Sequence, residues 1–161
     1  MASRQDWRAI VASSLDWEQA HAKLDSAVKG LPSALRGQRP SGYPHSAWEL
    51  LEHIRITQRD LLDFCQNTDY EETLEWPRDY WPPTPEPPTA DAWDKTIEEF
   101  RRDREALARF ATEADIDLTT RIPRGTGQTY LRTILVAVDH ASYHTGQIVS
   151  VRRLLGAWSG A

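Results

Sequence analysis

Six of the chain's ten prolines fall between Pro77 and Pro88, within the stretch "EWPRDYWPPTPEPPTADAW". Proline lacks the amide hydrogen that a helix interior or a central strand must donate, so this stretch can be neither. Regular structure must therefore lie before and after it. Trp and Tyr interleave with the prolines, and such rings gain most by lying on apolar surface. The stretch is expected to form an ordered strap packed against the body.

The flanking sequence carries helical periodicity in four places. In the first, from about Leu15 to Lys29, Trp17, His21, Leu24 and Val28 recur at spacings of four, three and four, a stripe expected to face a core. Trp7 to Val11 adds a short helical turn ahead of it. The second opens at "PHSAWELLEHIRITQRDLLDF", where Ser46 and Glu49 have the spacing of a capping box, and runs to about Gln66. The third starts near Thr89 or Asp91 as N-cap and buries Trp93, Ile97, Phe100, Leu107 and Phe110. The fourth runs from about Tyr130 to Leu155 and stops at Gly156. No alternating pattern of strand length appears. The expected fold is all-α, a four-helix bundle in one domain over residues 1–161, with a long proline-rich crossover between helices two and three.

A chain of 161 residues can bury a core without structural metals. Its net charge of -5, with basic residues scattered among acidic ones, argues against nucleic acid as a partner. No apolar run approaches the roughly 20 residues that span a bilayer. The single cysteine, Cys65, has no internal disulfide partner, and "MASRQDWRAIVASS" lacks the blocks of a signal peptide. These features predict a cytoplasmic protein.

His140 and His144 lie four apart in "VDHASYHTGQIVSVRRLLG", on one face of the fourth helix and about 6 Å apart along its axis. Such a pair can bind one transition-metal ion, and a third ligand must come from another helix. His53, in the middle of the second helix, is the best candidate. Taken together, "SAWELLEHIRITQRDLLDF" and "DHASYHTGQIVSVRRLLG" resemble the DinB/YfiT-like superfamily of small bacterial four-helix bundles, over about Leu15 to Leu155. The resemblance implies a metal triad at His53, His140 and His144, frequent homodimers, and, in some members, transferases and isomerases that use low-molecular-weight thiols.

Three protein ligands leave a coordination position for substrate, and imidazole suits a divalent ion, zinc or nickel first. Glu49, one turn before His53, is a candidate general base or simply the N3 residue of the capping box. Gln147 returns to the face of His140, where it could orient a water or bond within the bundle. His21 is expected to line the pocket. Asp139 points away from His140, and Cys65, twelve residues beyond His53, is too far along the helix to share the ion. His45 reads as a surface or cap residue, and Gly146 as a close backbone approach to a helix or a second copy. Arg152 and Arg153 read as a solvated C-terminal cap. The leading function is a metal-dependent enzyme, a thiol-dependent transferase or a hydrolase, acting on a small molecule. The alternatives are a metal- or ligand-binding protein without turnover, and a structural protein whose histidines are neutral core residues.

Overall fold

The computed structural model describes residues 6–158. The outer ends of the domain expected over 1–161, including the start of the stretch read for a signal peptide, lie outside the described residues. Helices α1 (Asp6–Ser14), α2 (Leu24–Val28), α3 (Ser33–Arg36), α4 (Ala47–Gln66), α5 (Ala92–Thr112) and α6 (Tyr130–Leu154) follow in order, with a single 3-10 turn at Arg78–Tyr80. The described residues form no strand beyond one isolated bridge between Arg121 and Thr129. The fold is all-α.

Helix α4 is central and packs against both α5 and α6. It starts where the capping box predicts: the Ser46 hydroxyl accepts from Glu49 N at 3.1 Å, and Ser46 N donates to Glu49 Oε2 at 2.8 Å. At the start of α6, Thr129 caps by accepting from Arg132 N at 3.2 Å. Asp91, by contrast, makes no side-chain cap to α5; its carboxylate is taken by Lys95 and by Thr89.

The core divides into two apolar clusters. One gathers Leu50, Leu51 and Ile54 of α4 with Trp93 and Phe100 of α5, Ile148 and Val151 of α6, and α2. The other gathers Leu62 and Cys65 with Leu107, Phe110, Ile134, Ala137 and Val11 of α1. Along α4 and α6 the level between them carries His53, Thr57, Gln58, His144 and Thr145, all buried. A polar layer thus interrupts the core: Gln58 donates to Phe100 O at 2.8 Å and Thr145 to Ala141 O at 2.7 Å, while the Thr57 hydroxyl meets no partner among the described residues.

The first expected helix, Leu15–Lys29, does not form as one piece. Helix α1 ends at Ser14, where the Ser13 and Ser14 hydroxyls donate back to Ile10 O (3.0 Å) and Val11 O (2.7 Å). Leu15 and Asp16 N–H turn to carbonyls three residues back, which tightens the end. Of the predicted stripe only Leu24 and Val28 are buried; Trp17 and His21 lie exposed in the loop. Two guanidiniums hold the pieces flanking that loop. Arg8 donates to Ala111 O (3.3 Å) in the last turn of α5 and to Glu113 O (2.9 Å) and Ile116 O beyond it. Arg152, buried rather than solvated as expected, donates to Ala27 O (2.5 Å), Lys29 O (2.9 Å) and Ala157 O (2.8 Å). Arg153 is exposed.

The segment between α4 and α5 contains no α-helix. It lies on the body: Tyr80 is buried, and Ser46 Oγ donates to Pro85 O. Glu86 crosses Gly37 so closely that a Cβ on Gly37 would overlap the Glu86 Cβ and come within 2.8 Å of its Cα. Gly146, in contrast, has nothing within 4 Å of where a Cβ would stand, so no close approach among the described residues explains it.

Candidate metal centre

Helix α4 supplies His53 and α6 supplies His140 and His144, and the two helices bring the three rings together in the polar layer. Their centroids form a nearly equilateral triangle, 4.7 Å (His53–His140), 4.6 Å (His53–His144) and 4.5 Å (His140–His144). One nitrogen from each lies within 4.8 Å of the others, and the Nε2 atoms of His53 and His140 are 3.0 Å apart. Nitrogens bound to one ion at about 2.1 Å stand at most about 4.2 Å apart. The spacing is within a small side-chain adjustment of that limit, so the group can hold an ion.

The hydrogen bonds behind the rings decide which nitrogen faces inward. His53 Nδ1–H donates to the Tyr80 carbonyl at 2.7 Å, and a carbonyl can only accept. His144 Nδ1–H donates to the Gln147 amide oxygen at 2.6 Å. Both imidazoles therefore carry their proton on Nδ1 and a lone pair on Nε2, the arrangement in which partners of ligand histidines fix tautomer and ring angle. Gln147 is thereby engaged in orienting His144.

Burial disfavours the charged rings. It pushes His53 down to about 4, assisted by His144 and opposed by the Tyr80 carbonyl, and His140 down to about 3, assisted by both neighbours. His144 is lowered as well, mainly by burial. Neutral imidazole is the ligating form. The unfolded chain takes up protons on these residues below about pH 6.5 and the native chain does not, so stability falls as pH drops from there toward about 4.

Trp81 stacks on His53 at 3.9 Å and 4°, and His45 stacks on Trp81 at 4.2 Å and 13°. His45 is thus pressed into the wall of the site and is no simple surface residue. Trp76 (65% exposed) stands 6.3 Å from the His53 ring, and Tyr143 (64% exposed) 4.9 Å from the His144 ring. Two of the chain's exposed aromatics thereby border the triad.

Glu49 is the cap. Its two oxygens are taken by Ser46 N and by Arg39, whose Nε donates at 2.8 Å, and that pairing holds the carboxyl below its usual range despite the raising effect of burial. His21 does not join the site. Its Nδ1 lies 2.9 Å from Ala22 O, and it borders a recess with Trp17, Phe100, Ala141 and Thr145. At 100° per residue, Ala141 and Thr145 lie about 100° from His140 and His144 around α6, so this recess opens on a different face of the helix. Asp139 is exposed, and burial pushes the Cys65 thiol up to about 12. The contributions of Trp81 and Tyr80 escaped the sequence. A tryptophan among prolines signals packing without saying on what, and a backbone carbonyl leaves no sequence signal.

The family model that matches the chain, described as the DinB superfamily, covers residues 16–148. No curated protein and no solved structure matches it.

Proposed function

The chain belongs to the DinB superfamily, and from that membership and the geometry of its histidines we propose that it is a metal-dependent enzyme holding a divalent ion on His53, His140 and His144. The observation that carries this reading is the pair of Nδ1–H bonds, to Tyr80 O and Gln147 Oε1, which leave two Nε2 lone pairs facing a third imidazole. His140 brings its Nε2 to 3.0 Å from His53 Nε2, which puts three ring nitrogens within 4.8 Å of one another, a spacing that one ion could draw together.

When bound, such an ion supplies Lewis acidity, which lowers the pKa of a coordinating thiol or water and polarises a carbonyl. The chain's residues do the rest. His53 and His144 are held in ligating tautomers, Trp81 shields one face of His53 from water, and Trp76 and Tyr143 border the approach. Glu49 has both oxygens engaged and is not free to serve as a general base. We prefer thiol transfer: a low-molecular-weight thiol, acidified if the three histidines held an ion, would displace a leaving group from an electrophilic small molecule, its proton passing to solvent and the leaving group departing with the electron pair of the broken bond. The engagement of Glu49 also supports a second reading, a protein that binds metal and ligand without turnover.

The test is a screen of low-molecular-weight thiols with electrophilic partners, using zinc- and nickel-loaded protein. The expected result is turnover that a chelator abolishes and added metal restores, and that His144→Ala lacks. Thiol binding to loaded protein without turnover would favour the second reading.

A further inference from the structure

On α4, between His53 and the cluster that begins at Leu62, one carboxylate is held by two phenols. Asp60 lies seven residues beyond His53 on α4, on the same face and about 10.5 Å along the axis at about 1.5 Å per residue. Its Oδ1 accepts from the Tyr70 hydroxyl at 2.9 Å, and its Oδ2 from the Tyr80 hydroxyl at 2.7 Å. Both tyrosines belong to the connection between α4 and α5. Burial and the adjoining Asp60 carboxylate raise both phenols above their usual range, so the hydroxyls are donors.

Tyr80 is the residue that matters. Its hydroxyl is fastened to Asp60, and its backbone carbonyl accepts the Nδ1 proton of His53 at 2.7 Å. It is 9% exposed, so the ring spans the distance between these anchors under cover, and the next residue, Trp81, stacks on the His53 ring. A 3-10 turn of three residues has little stiffness of its own. The Tyr80 hydroxyl therefore anchors this turn from its far end, alongside the Trp81 stack on His53.

We propose that Asp60 is a positioning residue for the trihistidine site: through the Tyr80 hydroxyl it fixes the strap carbonyl that holds His53 with its Nε2 directed at the ion. This rests on the metal reading given above. Tyr70 provides the internal control, because it bonds the same carboxylate and makes no hydrogen bond to His53.

The experiment compares Asp60→Asn, Tyr80→Phe, the double variant and Tyr70→Phe with the wild type in three measurements. These are zinc affinity by competition with a chromophoric chelator, the visible spectrum of the cobalt(II)-loaded protein, and the His53 ring tautomer in metal-free protein from long-range nitrogen–proton NMR. The proposal expects Asp60→Asn and Tyr80→Phe each to weaken zinc binding about tenfold, the low end for partners of histidine ligands. The double variant should lose little more than either single one. Both single variants should shift the cobalt bands and reduce the Nδ1–H form of His53, while Tyr70→Phe leaves all three at wild-type values.

If Asp60→Asn and Tyr80→Phe lower the melting temperature but keep wild-type affinity, cobalt spectrum and tautomer, the proposal is overturned and Asp60 serves the fold alone. Should Asp60→Asn not fold, Tyr80→Phe decides by the same measurements. Wild-type protein that binds neither zinc nor cobalt would refute the metal reading by itself. The tautomer measurement would still show whether Asp60 positions His53.

Discussion

Two irregular segments of this protein, the loop at residues 15–23 and the strap between α4 and α5, each carry aromatic residues that a sequence reader must place. The strap turns two of its rings inward, with Tyr80 buried and Trp81 flat on His53, and leaves Trp76 65% exposed beside them. The loop leaves Trp17 and His21 exposed. The loop is held electrostatically, through Asp16 to Arg104 (2.7 Å) and Lys23 (3.6 Å), and by guanidiniums on the helices around it. The strap is held by packing and by hydrogen bonds into the body. Helical spacing of apolar residues therefore misled in the loop, where no proline denied it. In the strap, prolines removed the helical option, and Tyr80 and Trp81 pack on the body.

The comparison makes graded predictions. Trp81→Ala should cost about 3 kcal/mol of stability, in the range of large-to-small changes at packed aromatics, and weaken metal binding as well. Chemical denaturation and zinc competition would check it, and an unchanged affinity would detach the strap from the site. Arg152→Met should cost about 2 kcal/mol, because it leaves the carbonyls of Ala27, Lys29 and Ala157 without their shared donor. Metal affinity should stay the same, since Arg152 touches no residue of the triad. Gly37→Ala should cost about 1–2 kcal/mol by forcing the Glu86 backbone away, read as a lower denaturation midpoint at unchanged m-value. His21→Ala and Trp17→Ala should stay within about 0.5 kcal/mol and leave metal binding untouched. A large loss from either would show that the loop matters more than its exposure implies.

The helices that position the site were legible. The Ser46/Glu49 box sets the start of α4 and thereby the height of His53, and the run from Tyr130 to Leu154 carries His140 and His144 one turn apart. Their convergence was legible because two long amphipathic helices must pack face to face. The N-terminal break was not, because it depends on serine hydroxyls returning to the backbone and on Asp16 finding Arg104 in a distant helix. The burial of Arg152 was hidden for a similar reason: its acceptors are carbonyls at the far end of α2. Around the triad, the sequence pointed to Glu49 and Gln147 as chemistry, and the structure engages one in the cap and the other behind His144. The residues that complete the site's wall, Trp81 and His45, meet across an interval of 36 residues that no local pattern encodes.

The most direct test of the central claim is metal content per chain, measured on untagged protein as purified and after loading with zinc or nickel followed by dialysis, for wild type and His140→Ala/His144→Ala in parallel. The account predicts close to one ion per wild-type chain and none in the variant. Wild-type protein that stays metal-free after loading, or a variant that binds as well as the wild type, would contradict it.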